Sequence, residues 1–283
     1  MFAEKLATLR RLIESYESCL IAYSGGVDSA FLAFVAHDVL GDRVIAVIAD
    51  SPSLPRRELE EAVGLAGRFK IPLRVIRTRE FDNPDYLANP PNRCFFCKRE
   101  LFSRLVPLAK AEGFRVLAYG ENASDVGDHR PGAAAAAEFE VRAPLKEAGL
   151  SKDEIRRLSA GLGLPTADKP QMPCLSSRIP HGELVTSDKL RMIEAAENLL
   201  RDAGFRDVRV RHHELSMGAL ARIEVGREEI ARLTGSGRDA RLTDAIRALG
   251  YSEVRVDPLG YRRGSLNTID GGRLLHPSER SGT

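Results

Sequence analysis

Tryptophan is absent from this 283-residue chain, and aromatic residues make up only 6% of it. Charge of one sign is missing too: 42 Lys and Arg meet 40 Asp and Glu, a formal net charge of +2. Both absences argue against a partner gripped through bulk positive charge and base stacking, so no nucleic-acid partner is expected. Long apolar runs are lacking. Cys19–Tyr23 and Ala30–Ala36 fall far short of the ~20 residues of a membrane span, and Met1-Phe2-Ala3-Glu4-Lys5 is charged too early for a secretory leader. Cysteine is scarce, with four residues unevenly spaced, which excludes a disulfide-stapled mini-fold. The expectation is a cytoplasmic protein with free thiols, long enough to bury its own core and to form roughly two domains at ~150 residues each.

What is present is an alternation of strand-like and helix-like segments. Cys19–Tyr23, Arg43–Ala49, Pro72–Arg77 and Arg115–Tyr119 are short and apolar. Between and after them, Ser29–Leu40 (closed by Gly41), Arg56–Lys70 (opened by Pro55) and Lys98–Glu112 carry helical patterning. This predicts an α/β, Rossmann-like domain with a parallel sheet covered on both faces. Ligands then sit beyond the carboxyl ends of the strands. Ser151 and Glu154 are spaced as a capping box for a helix over Ser151–Ala160. A proline-rich loop over Gly161–Gly182 follows, and Ala133–Ala137 is read as a loop or a short turn of helix. Beyond the loop come a helix over Asp188–Ala203 with Ser187 as its cap, strands over Asp207–His213, Ala221–Val225 and Glu253–Val256, and two short helices near 227–233 and 239–249. The expected division is therefore 1–182, a smaller α+β domain over 183–270, and a flexible tail over 271–283.

The sharpest feature is Ser24-Gly25-Gly26-Val27-Asp28-Ser29, between an apolar strand and an apolar helix. Two glycines let backbone N–H groups approach an anion, and the helix that follows presents unpaired N–H groups and a positive dipole end. Ser24 and Ser29 supply hydroxyls, and Asp28 suits Mg²⁺ rather than phosphate. No lysine-bearing Walker loop is present. This string resembles the signature of the PP-loop ATP pyrophosphatases, which adenylate a substrate and release pyrophosphate. The resemblance implies that Ser24–Ser29 cradles ATP phosphates with Asp28 on magnesium. It also implies an adenine pocket near Ile48-Ala49-Asp50-Ser51 and a second nucleotide-side segment at Gly120, Glu121 and Asp125. Asp128 and Arg130 follow in a loop where charge has no packing role.

Three of the four cysteines stand apart from the core. Cys94 and Cys97 form C-x-x-C, and Cys174 lies in Gln171-Met172-Pro173-Cys174-Leu175-Ser176-Ser177-Arg178. Zinc normally takes four ligands, and no fourth announces itself nearby. The spacing is open to a free thiol pair, a reversible disulfide, or a [4Fe-4S] cluster with one iron left open. Cys19 sits in the first strand as core.

The string from Pro173 to Gly182 resembles the sulfur-donor loop of the LarE family. The likeness extends through Arg142-Ala143-Pro144-Leu145, Arg209-Val210-Arg211, Ala221-Arg222-Ile223-Glu224 and Tyr261-Arg262-Arg263-Gly264-Ser265-Leu266-Asn267. LarE proteins are PP-loop sulfur transferases of nickel-pincer nucleotide synthesis. The resemblance implies adenylation of the carboxylates of pyridinium-3,5-dicarboxylate mononucleotide and their conversion to thiocarboxylates. One kind of LarE sacrifices a single cysteine sulfur; the other carries three and is thought to pass on sulfide from a [4Fe-4S] cluster. Cys94, Cys97 and Cys174 match the second kind. The implied cofactors are ATP, Mg²⁺ and the cluster. The implied partners are a nucleotide substrate, a sulfide donor and cofactor-pathway enzymes, with a homo-oligomer, a hexamer by resemblance.

A substrate phosphate needs a cationic anchor. Arg209 and Arg211 alternate on one strand and share a face, and Arg178 adjoins the cysteine loop, so these three are the candidates. Glu224 is a candidate magnesium or substrate contact. His212 and His213 are neighbours on a strand and point to opposite faces, which argues against joint ligation. Lys98 is open to a phosphate, cluster or surface role. Rival readings are a PP-loop tRNA thiolase, distinguished by tRNA binding; an ammonia-using synthetase, which needs no Cys174; and a non-catalytic ATP-binding module, which releases no pyrophosphate.

Overall fold

A computed structural model of the chain describes residues 2–125, 131–234, 238–262 and 266. It divides into two compact units. The first runs to Ser177 and takes in Leu184–Leu190; the second holds Arg178–Glu183 and the described residues from Arg191 onward. Asp128, Arg130, Arg263, Gly264, Ser265, Asn267 and the expected tail over 271–283 lie outside the described residues.

The first unit contains, in order, α1 (Phe2–Glu14), β1 (Cys19–Tyr23), α2 (Val27–Leu40), β2 (Val44–Asp50), α3 (Arg56–Arg68), β3 (Leu73–Arg77), α4 (Pro84–Leu87), α5 (Arg93–Ala111), β4 (Val116–Tyr119), α6 (Pro131–Glu138), α7 (Pro144–Glu147) and α8 (Lys152–Gly161). The strands form one parallel sheet in the order β3-β2-β1-β4. A parallel bridge from Ala118 to Arg142 extends the β4 edge. All five residues of β1 are buried. Their alternation splits them between two cores: Cys19, Ile21 and Tyr23 pack with Leu9, Phe31 and Val35, whereas Leu20 and Ala22 pack with Phe102, Leu105 and Ala136. A strand apolar at every position is thereby satisfied on both faces. Burial pushes the Cys19 thiol up to about 12, as suits an inert core group.

Three elements differ from the sequence reading. Nothing was expected before Cys19, yet Phe2–Glu14 is a helix that buries Leu9 and Ile13 in the first core, with Leu6 and Leu12 packed against it. The helix over Lys98–Glu112 starts five residues earlier, at Arg93, so Cys94 and Cys97 lie in its first turns. The cap of α9 (Ser187–Asp202) is Thr186, whose Oγ1 accepts the Lys189 N–H at 3.3 Å, so Ser187 is already helical. The expected Ser151–Glu154 capping box is present in full.

The second unit carries the later part of α9, then β5 (Val208–Leu215), β6 (Gly218–Val225), α10 (Ile230–Thr234), α11 (Arg238–Arg247) and β7 (Glu253–Val256). β5 and β6 form an antiparallel hairpin, and β7 adds parallel to β6. Leu200, Phe205, Val208, Val210, Ile223 and Ile246 form its core. Among the described residues no helix is long and apolar enough to cross a membrane.

Candidate active site

The phosphate-loop residues leave the carboxyl end of β1 and enter α2. Gly26 caps α2 without a side-chain hydrogen bond, which leaves the first-turn N–H groups for an anion. The two serines brace the loop. Ser29 Oγ accepts the Ser24 N–H at 3.1 Å, lies 3.0 Å from Ser24 Oγ and donates to Gly26 O at 3.2 Å. Gly25 has φ +69°, and a Cβ there would lie 2.5 Å from the Ala62 Cβ. At the end of β4, a Cβ on Gly120 would stand 2.8 Å from Ser29 N. Gly25 is therefore dictated by conformation and by close approach, and Gly120 by close approach alone.

Asp28 is the acidic residue of this loop. Its Oδ2 accepts from Lys152 Nζ at 2.6 Å, and its Oδ1 is buried without a hydrogen bond. Burial pushes its carboxyl above the ordinary range; Lys152 and Asn122 pull it down, and Asp125 pushes it up. Asp125 is itself buried and accepts the Asn122 N–H at 3.2 Å. An unsatisfied carboxylate oxygen beside a second acid fits a hard divalent cation such as Mg²⁺. Glu121 is committed elsewhere: its carboxylate accepts from Lys146 Nζ at 3.0 Å and from the Tyr119 hydroxyl.

The ends of β2 and β3 open on a cavity of about 290 Å³ lined by Asp50, Ser51, Pro52, Arg56, Arg77 and Thr78. Ala49, half-buried and paired with Ile76, precedes it on β2. Arg56 pairs with Asp50 and donates to Ser51 O and Leu54 O, each at 2.7 Å, which stiffens the β2 exit. Of the residues expected to line a base pocket, Ser51 lines this recess and Ala49 stands just before it.

Ser53, two residues on, ties this exit to the cysteine loop. The Leu175 N–H donates to Ser53 O at 2.8 Å. Ser53, Tyr86 and Ser176 form a buried triangle of hydroxyls, with Ser53 Oγ 2.9 Å and Tyr86 Oη 2.8 Å from Ser176 Oγ. Arg93, buried at the start of α5, donates to Ser176 O at 2.9 Å and to Asn89 Oδ1. Cys94 and Cys97, three residues apart on α5, share a helix face; Cys94 is exposed, and Cys97 and Cys174 are half-buried.

The three thiols lie within electrostatic reach of one another. Cys97 is pushed up to about 12 by burial and then by Cys174, and Cys94 is raised by burial and Cys174. Burial pulls Arg93 down, but Cys174, Cys94, Tyr86 and Cys97 more than offset it, so its guanidinium is held above its ordinary value. Soft thiols gathered around a buried cation are a donor set suited to an iron–sulfur cluster. Among the described residues, however, no three His, Cys, Asp or Glu side chains already form a metal-binding group. Sequence reasoning missed Ser53, Tyr86, Arg93 and Lys152. None lies in a recognisable motif, and only the proximity of Arg93 to Cys94 was visible.

In the second unit the arginines are buried. Arg178 Nε meets Glu197 Oε1 at 2.8 Å, both fully buried, and Arg201 reaches Glu197 Oε2 at 2.8 Å. Arg211 and Arg222 each meet Glu224 at 2.9 Å, so Glu224, the candidate magnesium or substrate contact, is engaged by two guanidinium groups. Arg209 lies over the Tyr261 ring at 4.9 Å. Its guanidinium is lowered to about 10 by burial and by Arg178.

No family profile matches the chain. An uncharacterised protein of Synechocystis sp. is 44% identical over 269 residues, covering 95% of this chain and 99% of its own length. The pyridinium-3,5-bisthiocarboxylic acid mononucleotide synthase of Lactiplantibacillus plantarum is 33% identical over 267 residues, covering 94% of each. The glutamine-hydrolysing GMP synthase of Thermomicrobium roseum is 31% identical over 208 residues, covering 65% of this chain and 39% of that enzyme.

Proposed function

The chain belongs to the LarE family of pyridinium-3,5-bisthiocarboxylic acid mononucleotide synthases, and from that premise we propose that it is an ATP-dependent sulfur transferase of nickel-pincer nucleotide synthesis. Its substrate is pyridinium-3,5-dicarboxylate mononucleotide, whose carboxylates become thiocarboxylates.

A carboxylate is a poor acyl donor because oxide would have to leave. Its oxygen attacks the α-phosphorus of ATP, the α–β bridge bond breaks, and pyrophosphate departs. The first-turn N–H groups of α2 hold the phosphates, and Asp28, with Asp125 beside it, would hold a Mg²⁺, which supplies positive charge against the departing pyrophosphate. A sulfur nucleophile then attacks the acyl carbon and AMP leaves with its bonding electrons. Cys94, Cys97 and Cys174 would hold a [4Fe-4S] cluster, which supplies one iron without a protein thiolate as a position for external sulfide. Without a cluster, the Cys174 thiolate attacks to form a thioester; loss of its α-proton then breaks the Cβ–Sγ bond, the sulfur leaves with the bonding electrons as the thiocarboxylate, and dehydroalanine remains at position 174. Arg93 and the Ser53–Tyr86–Ser176 hydroxyls orient the Cys174 loop.

The observation that carries this reading is the short tether between the two chemistries. Ser51 lines the recess at the β2 exit, and Ser53 is hydrogen-bonded to Leu175 and Ser176, immediately after Cys174. For the substrate's phosphate the reading keeps Arg178, Arg209 and Arg211 as the cationic candidates, of which Arg178 is already paired with Glu197 and Arg211 with Glu224, and Arg209 lies over the Tyr261 ring. The enzyme works as a homo-oligomer, receiving sulfide from an external donor and exchanging its nucleotide with other enzymes of the pathway.

The test is anaerobic purification with iron and sulfide analysis, followed by product mass after incubation with ATP, Mg²⁺, sulfide and the dicarboxylate mononucleotide. The expected result is release of AMP and pyrophosphate, with oxygen-for-sulfur exchange at the carboxylates, and loss of sulfur transfer in Cys174→Ala. Bound iron lost in Cys94→Ala supports the cluster. Sulfur transfer without iron and with one turnover per chain assigns the sulfur to Cys174. Absence of substrate-dependent AMP release overturns the function.

A further inference from the structure

We propose that Lys152 is a nucleotide-phosphate ligand that, before nucleotide arrives, stands as the counter-ion of Asp28 in place of the magnesium. The inference rests on the reading of Ser24–Ser29 as a phosphate cradle and adds to it a residue outside the loop. Asp28 and Lys152 are 124 positions apart in sequence, yet their charged atoms are 2.6 Å apart. An unpaired carboxylate at this depth would be costly and would repel an incoming polyanion. Lys152 removes both penalties in the nucleotide-free protein.

The base of Lys152 is fixed and its tip is not. It is the first residue of α8, behind the complete Ser151–Glu154 capping box. Its backbone N–H donates to Ser124 Oγ at 3.0 Å. Its side chain remains 35% exposed, so the ammonium can move on its four-carbon stem without disturbing the helix. A magnesium ion at Asp28 competes for the carboxylate that Lys152 holds. Two cations do not share that position at low cost, so metal binding displaces the ammonium. The loop residues that flank Asp28 present N–H groups, not carboxylates, and the displaced ammonium finds its new partner in the phosphates cradled there. Lys152 thus exchanges one anion for another as the site loads, and no charge is stranded at either stage.

The test is calorimetric binding of ATP to the full chain, once with magnesium and once with excess EDTA, with no second substrate. Wild type, Lys152→Met, Lys152→Arg and Asp28→Asn are compared, with unfolding midpoints measured alongside. In Lys152→Met, affinity for metal-free ATP is expected to fall roughly tenfold or more, because the phosphates then face an uncompensated Asp28. The gain on adding magnesium grows, because the metal no longer competes with a lysine. Lys152→Arg is expected to recover most of the metal-free affinity. Asp28→Asn is expected to bind metal-free ATP at least as well as wild type and to lose most of the magnesium effect. Metal-free affinity of folded Lys152→Met within about twofold of wild type overturns the proposal while leaving the phosphate loop intact. An undiminished magnesium effect in Asp28→Asn, or no ATP binding by wild type, overturns the loop reading and the proposal with it.

Discussion

In the first unit, β1 is apolar on both faces, and the charged groups of the site stand where the strands end: Asp28, Asp125 and Lys152 around the β1 and β4 exits, Asp50 and Arg56 at the β2 exit. In the second unit, charge is carried inside. Arg209 and Arg211 on β5 are buried, Glu197 and Glu224 are fully buried, and Arg178 is fully buried against Glu197. The contrast reflects two ways of placing charge. Parallel strands and helix N-termini provide it from backbone alone, so the sheet needs no charges within. In the second unit guanidinium groups enter the interior instead, Arg178 held by buried Glu197 and Arg211 by buried Glu224.

The comparison predicts different vulnerabilities, the largest at Glu197. Glu197→Ala strands Arg178 and Arg201 without their partner and should cost about 3–5 kcal/mol in urea unfolding. Phe31→Ala in the first core should cost a similar amount through a cavity, about 3–5 kcal/mol. The two differ in pH response. Burial alone would raise the Glu197 carboxyl, but Arg178, Arg201 and Arg209 hold it below the ordinary 4.5. Its stabilisation is present above that value and is lost as pH falls through the lower folded value. Wild type should therefore lose in acid what Glu197→Ala has already lost, and the two unfolding curves should converge, whereas Phe31→Ala should stay parallel to wild type. A Glu197→Ala cost no greater than that of an exposed substitution would break the contrast between the units.

The second effect is at His213. Burial, then Arg222, His212 and Arg211, lower its imidazole from 6.5 to about 3. The unfolded chain takes up the proton first, so stability is full above pH 6.5 and falls as pH drops toward 3. By pH 4 the penalty reaches roughly 3 kcal/mol. His213→Phe should flatten the pH 4–6 slope of the unfolding midpoint; an unchanged slope would move the acid sensitivity of the second unit to another group. The smallest effect is local to the first unit. Ser151→Ala removes the cap of α8 and should cost about 1 kcal/mol, with a modest loss of ATP affinity as Lys152 loses its fixed base. A loss of stability with ATP affinity intact would separate the cap from the site.

Much of the first unit was legible because its signals are local. Four apolar runs marked the four parallel strands, Ser151 and Glu154 marked a cap, and Ser24–Ser29 marked the turn from β1 into α2 in consecutive residues. The N-terminal helix was not read, although Leu6, Leu9, Leu12 and Ile13 have helical spacing, because charged residues interleave them. Arg178, Arg209, Arg211 and Glu224 were legible as charges but not as partners. Sequence showed cations suited to phosphate; the fold paired Arg178 with Glu197, and Arg211 with Glu224.

The sequence by itself determined the succession of apolar strands, the glycine-bearing turn at Ser24–Ser29, the three cysteines outside the first strand and the family to which the chain belongs, since each is written in neighbouring residues. Only the tertiary structure decided that Lys152 meets Asp28, that Ser53, Tyr86 and Ser176 join three distant segments through their hydroxyls, and that Arg93 sits among the thiols. Those contacts bridge tens to more than a hundred residues, and no periodicity records them. A buried polar group takes whichever partner the packing of the whole unit delivers.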